Sequence, residues 1–527
     1  MNRQKIFFGW SVALILAAAN CAWSQLQQPF RFEHEIKNSE EGFNIISLKK
    51  EGLALMREMN QYSHGKKKWQ LEILDTALSQ VWSPVLELEN RLVLVGFEYS
   101  PQLLYLLFRE GENEAHNFQL LTVRFPEKSY QIDKIKFELN FKMTHFTMAG
   151  NTAVFGGYVN NESAVLLYDQ SSEHPKVIPG LFITDISLLD VRANQNQSFN
   201  VLLTEGRGKE KKRLIVRTFD SNGNQLMDDA IRVEPRFTIL TGLTNSLERD
   251  EMIIVGTYAE GTGKQASGFY SVVVDPFNDQ AVTYTDFTTL SHFLDYLPPR
   301  KAEKIRTKAQ QQRTLGRMPD YKTYVVPFRM EERSNGFYIL AEQYYPSNSV
   351  NTSPYPYSSF NPYAYGYYPY GQSPYMNRYY NSPYMYNTPV RNSDVRMVQT
   401  MVLELGPHGK VVKDASIKLE DIKQPGLEQV GDFLIAHDSI LLVYKKESEI
   451  IYQEEAGDLD EKPILKKTKL RLLHEGDVLR NENENEGGVR FWYDHNFYVW
   501  GYQTVKDATR AENQTRHVFY VNRITME

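Results

Sequence analysis

One pattern recurs along almost the whole chain: a short apolar run, a small residue, then an aromatic or polar exit. Its clearest copies are Leu92-Val93-Leu94-Val95-Gly96-Phe97, Ala153-Val154-Phe155-Gly156-Gly157-Tyr158, Met252-Ile253-Ile254-Val255-Gly256-Thr257-Tyr258 and Phe497-Tyr498-Val499-Trp500-Gly501-Tyr502. Looser copies are Phe199 to Glu205, Phe337 to Glu342, Ile440 to Tyr444 and Leu53 to Met56. Such near-continuous apolar runs fit strands buried on both faces, as the inner strands of stacked sheets are. Each copy is followed by a second strand and a tight turn, as in Arg217 to Asn224, Leu403 to Lys410 and Val274 to Asp279. Asp, Asn, Pro and Gly gather there because a reversing chain needs a residue at positive φ. A third strand follows, as in Val411 to Leu419.

With Gly96, Gly156, Thr204, Gly256, Ala341, Val443 and Gly501 as anchors, the spacings are 60, 48, 52, 85, 102 and 58 residues. The two long gaps hold two evident insertions, and removing these returns both units to about 50 residues, near the length of a four-stranded propeller blade. The last unit stops soon after a second strand, Val518 to Asn522, while an orphan strand, Phe30 to Ile36, precedes the first unit. Those halves complement each other, since an N-terminal strand that completes the last blade closes a ring without leaving an exposed edge.

On unit length and strand pattern, residues 29–527 resemble a β-propeller of seven or eight blades, an all-β fold; two packed β-sandwiches are the alternative. The Gly-His and Trp-Asp dipeptides of WD40 repeats are missing, and the doublet Gly156-Gly157 is too little for kelch, so no specific family is indicated. The resemblance implies a rigid disc with loops on two faces and a central pore, used more often for binding than for any one chemistry, although fold alone does not set function.

Of the 33 Tyr, 14 fall within residues 344–386, with seven Pro and the single charge Arg378. A segment with so few aliphatic residues and so many ladder-breaking prolines cannot build a core, and residues 346–390 are expected to form a disordered loop. Tyr355, Tyr357, Tyr363, Tyr365, Tyr367, Tyr368, Tyr370 and Tyr375 would offer flat rings and phenol edges to sugars, arginines or one another. The bland alternative is an expansion with no partner. The other insertion, residues 290–320, is basic and rich in helix formers, which predicts a short helix ending near Gly316. Arg300, Lys301, Lys304, Arg306 and Lys308 make it a candidate basic patch for an acidic partner or phosphates, or simply a solvated helix. The acidic runs Glu454 to Glu461 and Asn481 to Glu486 read as exposed loops.

The first 24 residues read as an export signal: a basic start, an apolar stretch from Phe7 to Ala19 too short to span a bilayer, and Ala22-Trp23-Ser24 at the cleavage positions. Cys21 invites a lipoprotein reading, but Ala18-Ala19-Asn20 before it fits a lipobox poorly. Cleavage after Ser24 leaves no cysteine for disulfides, thiolate metal sites or thiol catalysis. The expected address is a bacterial periplasm, outer-membrane surface or exterior, with no membrane span after the signal is removed. A formal net charge of -6 argues against nucleic-acid binding.

No catalytic residue, metal site or cofactor motif emerges. Gly261-Thr262-Gly263-Lys264 lacks the rest of a phosphate loop and sits between two strands, as a hairpin turn would. Asp220, Asn222 and Asn224 have calcium-loop spacing, but Gln225 replaces the required Gly and no Glu closes the loop. The sharpest enzymatic reading is a carboxylate pair for glycoside cleavage drawn from Glu98, Glu205 and Glu342, which leave homologous strands at similar depth. The preferred reading is a non-enzymatic binding or scaffold protein of a bacterial envelope that docks a protein or glycan. A propeller hydrolase or lyase acting on extracellular polysaccharide is the alternative.

Overall fold

The computed structural model describes residues 26–526 apart from 37–41, 112–115, 173, 182–185, 206–211, 248–250, 276, 278–279, 347–394, 425–426, 437–438, 456–462 and 508–514. Eight antiparallel sheets follow one another along the chain, each ordered from an inner strand outward. The fold is an eight-bladed β-propeller. The inner strands of blades 1 to 4 are Asn44–Ser47, Leu92–Ser100, Phe141–Ala149 and Ile186–Ala193. In blade 5 the inner position is broken into Phe237–Ile239 and Leu243–Thr244, and in blades 6 to 8 it is Tyr324–Arg333, Asp432–Ala436 and Val478–Tyr493.

The repeated apolar run is the second strand of its blade in seven cases, not the first. Leu53–Ser63, Thr152–Val159, Phe199–Glu205, Met252–Glu260, Gly336–Pro346, Ser439–Lys446 and Asn496–Lys506 each lie between an inner strand and a third strand. The second strand has neighbours on both edges and a blade on both faces, so it carries the most continuous apolar pattern. Inner strands border the pore and alternate with polar residues. Leu92 to Phe97 is the exception, an apolar inner strand, and Val411–Lys418 is correspondingly a fourth strand. The small anchor residue admits the next blade. A Cβ on Gly156 would meet Val191 Cγ2 at 2.6 Å, and one on Gly96 would meet Phe146 Cδ1 at 2.9 Å, both on the inner strand of the following blade.

Ring closure takes two devices. Leu26–Glu35 pairs antiparallel with Thr515–Met526, from Phe30 opposite Arg523 to Glu35 opposite Val518, and so supplies the outermost strand of blade 8. Behind it a core containing Phe43, Leu55, Leu74, Trp492, Trp500 and Phe519 welds blade 8 to blade 1. Trp492 Nε1 donates to Gly52 O across that joint at 3.0 Å. Gly52 is at φ +123, and a Cβ there would sit 1.8 Å from Leu74 O. Arg516 locks the first strand to the last blade through Glu33 at 2.9 Å, Asp477 at 2.5 Å and Asp507 at 2.9 Å, all with side chains at most 6% exposed.

Between blades 5 and 6 the basic insertion forms a helix, Pro299–Thr314, which begins with Pro at its first position and ends at Leu315 before Gly316 at φ +67. Ala302 and Ala309 face the core, and Arg313 clamps Asp286 at 3.0 Å. The acidic stretch Asn481 to Glu486 is not a loop but part of the long inner strand of blade 8. Glu482 is buried there against Lys445 of blade 7 at 2.7 Å, with Ser448, Gln503 and Tyr520 donating to its carboxylate. Its partner lies on a different blade, so the run of acids looks unpaired in sequence. Glu455, from the other acidic run, is also buried, while residues 456–461 lie outside the described residues. Among the described residues no helix is long and apolar enough to cross a membrane. Residues 1–24 lie outside the described residues too.

Replacing Arg516 by Ala leaves three buried carboxylates facing one another, which costs about 3–5 kcal/mol. Replacing Lys50, whose pair with Asp494 is exposed, costs under about 1 kcal/mol. Denaturant unfolding of the two variants is expected to separate them accordingly.

Candidate functional site

The pore collects what the blade interiors exclude. Side chains alternate along a strand, so a residue whose neighbours pack between blades presents itself to the axis. In Tyr324–Arg333 the alternate residues Arg329, Glu331 and Arg333 are all partly exposed and all line one cavity of about 700 Å³. Its wall is completed by Ser47, Lys49 and Lys50 from blade 1, Phe97, Glu98 and Tyr99 from blade 2, Asp432 and Ile435 from blade 7, and Arg490 to His495 from blade 8. Five of the eight blades therefore contribute to one hollow at the pore.

Most charges in that hollow are committed to holding blades together. Asp432 Oδ1 accepts from Arg329 Nη2 at 2.8 Å, and Asp432 Oδ2 accepts from the Phe491 backbone at 2.8 Å, so one carboxylate ties blades 6, 7 and 8. Arg329 also lies over the Phe433 ring, 4.4 Å from its centroid. Arg490 donates to the carbonyls of Val489, at 2.7 Å, and Gln429. Arg333 pairs with Glu331, and Glu332 accepts from Asn245 of blade 5 at 3.0 Å. On the far side of the pore Asp190 binds Arg192 at 3.2 Å and the Thr244 backbone at 3.0 Å. His145 is buried there, and burial lowers its pKa to about 4, so the ring is neutral near pH 7.

Glu98 differs from these in having a hydroxyl, and among the described residues no ion pair, as its link to the next blade. Burial raises its pKa to about 7, offset in part by a hydrogen bond from Thr147 and by the more distant charge of Arg192. Its side chain still reaches the hollow, since the residue is only half-buried.

The structure does not bring Glu98, Glu205 and Glu342 together. The reason is the strand assignment: Glu98 sits on an inner strand, whereas Glu205 and Glu342 sit on second strands, one layer farther from the axis. Glu205 pairs with Arg213 of its own blade at 2.6 Å. Glu342 is sealed in, accepting from the Gly431 backbone at 2.7 Å, the Val430 backbone at 3.0 Å and Thr400 at 2.8 Å. Burial raises its pKa to about 7 even so.

Among the basic-helix residues, Arg306 is tied to Ser291 O and Asp295, and Lys308 to Asp320 at 2.8 Å, while Arg300, Lys301 and Lys304 are exposed. Tyr355, Tyr357, Tyr363, Tyr365, Tyr367, Tyr368, Tyr370 and Tyr375 lie outside the described residues, in the segment that joins the second and third strands of blade 6. Gly261 to Lys264 is a hairpin turn between Met252–Glu260 and Gly268–Val274. Asp220 accepts from the backbones of Asn222 and Asn224, as a turn requires. Among the described residues no group of three or more His, Cys, Asp or Glu is arranged to hold a metal ion. Arg329, Asp432 and Arg490 were missed in sequence, although the Arg-x-Glu-x-Arg alternation at 329–333 marks a polar strand face.

No family model matches the chain, and no curated protein matches it. Among solved structures it is similar to the β-propeller domain of the Trilobed protease from Pyrococcus furiosus, at 10% identity over 82% of this chain and 93% of that one, TM-score 0.33. It is also similar to the polysaccharide lyase Uly1, at 9% identity over 94% and 100% of the two chains, TM-score 0.34. A prolyl endopeptidase matches at 9% identity over 88% of this chain and 54% of that one, TM-score 0.37. These neighbours are a protease's propeller domain, a polysaccharide lyase and a prolyl endopeptidase, and likeness at this level carries no inference about activity or ligand here.

A carboxyl with a raised folded-state pKa holds its proton in the folded protein while the unfolded chain has lost it, so stability declines as pH rises through that window. For Glu98 the window runs from about 4.5 to about 7. Glu98→Gln is therefore expected to flatten the fall in stability over that range in urea unfolding curves, and to leave stability below the window little changed.

Proposed function

We propose that the chain is a non-enzymatic binding protein of a bacterial cell envelope, exported by its N-terminal signal, whose propeller docks a protein or glycan partner at the pore. The observation that carries this reading is the state of the pore carboxylates. Asp432, Glu331 and Glu332 are each engaged by a neighbouring blade or an adjacent guanidinium. A carboxylate pair for glycoside cleavage needs two such groups free to face one bond, and Glu205 and Glu342 are occupied elsewhere. What remains is a rigid concave wall of aromatic and polar side chains, the character of a recognition surface. The Tyr-rich segment adds weak multivalent contacts from blade 6.

A propeller hydrolase or lyase acting on extracellular polysaccharide is favoured by one observation, the pKa of Glu98 near 7, where a general acid or base works best. Glu98 alone supplies one half of such chemistry.

Crosslinking capture from native envelope fractions tests the docking reading with three chains: full length, one lacking residues 346–390, and Ile435→Trp, which fills the hollow from blade 7. The captured species is expected to survive the deletion with weaker retention and to be lost with Ile435→Trp. Capture unaffected by Ile435→Trp would remove the pore from the account. Release of new reducing or unsaturated ends from envelope polysaccharide, abolished by Glu98→Gln, would replace docking by catalysis.

A further inference from the structure

Glu98 lines the pore hollow with a hydroxyl and, among the described residues, no ion pair as its partner, and this identifies the kind of group the hollow accepts. We propose that the hollow takes an organic cation, a primary ammonium or guanidinium group, with Glu98 as its counter-ion. The proposal rests on the reading of the hollow as the docking site and gives that site its ligand chemistry.

The argument is a local account of charge. Each guanidinium facing the hollow already has a partner: Arg329 has Asp432 at 2.8 Å, Arg333 has Glu331, and Arg490 has backbone carbonyls. At the rim Lys50 holds Asp494 at 2.9 Å. An incoming anion would have to draw Arg329 from Asp432, a pair that joins blades 6 and 7 and whose breaking costs about 3–5 kcal/mol, or compete for Arg333, Arg490 and Lys50 with the partners these already hold. An incoming cation displaces no ion pair, because the bond that Glu98 accepts comes from the Thr147 hydroxyl of blade 3. Arg192, the nearest cation to act on it, is itself paired with Asp190 at 3.2 Å.

The lining as a whole carries as many basic as acidic side chains, so selectivity comes from this local imbalance and not from a net field. Tyr99, Phe491, Tyr493 and Tyr498 line the same cavity. Aromatic faces attract ammonium and guanidinium groups most strongly where water is excluded. Burial leaves Glu98 partly protonated near pH 7, so a cation seated on it expels a proton. Of the imidazoles, His495 lines the cavity, and His145, on the inner strand of blade 3, is buried and neutral near pH 7.

Isothermal titration of the full chain decides the matter, using spermidine, an unstructured peptide bearing Lys and Arg, and citrate as an anionic control, each in two buffers of different ionisation enthalpy. At least one cationic probe is expected to bind with measurable proton release at pH 7. Glu98→Gln is expected to weaken that binding by at least about tenfold and to abolish the release, which corresponds to loss of one buried ion pair. Glu98→Asp, which keeps the charge but withdraws it by one methylene, is expected to bind more weakly with release intact, and thermal melts show whether either variant is folded. Binding of the peptide alone makes the partner a protein with a basic side chain; binding of spermidine as well admits a free polyamine. Failure of both cations at millimolar concentration, cation binding indifferent to folded Glu98→Gln, or citrate binding with proton uptake would each overturn the proposal. If the cations fail while Ile435→Trp still abolishes capture, the ligand chemistry falls and the docking reading stands.

Discussion

A propeller is a sheet stack bent until its ends meet, and everything else in this protein depends on that meeting. An open arc of eight blades would expose the edge of Thr515–Met526 and the apolar faces of blades 8 and 1, two surfaces that invite pairing with other chains. The first strand covers the edge, and the core around Trp492, Trp500, Phe43 and Phe519 covers the faces. Arg516 adds specificity, since only the strand carrying Glu33 brings the third carboxylate to it. With about 480 residues between the paired strands, closure joins the most distant parts of the sequence, and the loop entropy that opposes it grows only slowly with that length.

Closure also creates the pore, and the pore explains where the charges went. Eight inner strands facing one axis leave a hollow that no apolar packing fills, so its walls are polar, and most of that polarity is used to fasten blade to blade. Asp432 bridges three blades, Glu332 reaches blade 5 from blade 6, and Asp190 reaches blade 5 from blade 4. Glu98 accepts from the Thr147 hydroxyl of blade 3 but, among the described residues, forms no ion pair with a neighbouring blade. A carboxylate that the fold places in the hollow without a counter-ion is a point for a ligand to engage, and a disc that is rigid elsewhere presents that group at little entropic cost.

Much of this architecture was legible in the sequence. The repeat spacing, the orphan strand before Asn44 and the truncated last unit pointed to a closed propeller because ring closure imposes those features. The helix was legible as well, since Pro298-Pro299, a run of helix formers and Gly316 are local signals. Strand order within a blade was not. Leu92 to Phe97 and Gly336 to Glu342 look alike in composition, yet one lines the pore and the other is enclosed, because the difference lies in which neighbours each strand meets. The same blindness separated Glu98 from Glu205 and Glu342, and hid the partner that buries Glu482. Charges that pair across blades are far apart in sequence, and no local pattern records the pairing.

The account's central claim is that the chain is one ring shut by its first strand, and that the hollow exists because the ring is shut. Hydrogen exchange followed peptide by peptide in increasing denaturant tests it most directly. The ladder-bonded amides of Leu26–Glu35 are expected to exchange with the same free energy and denaturant dependence as those of their partner Thr515–Met526, because neither opens without the ring. Exchange of Leu26–Glu35 orders of magnitude faster than Thr515–Met526 would contradict the claim, showing a strand that frays freely from a ring held by other means.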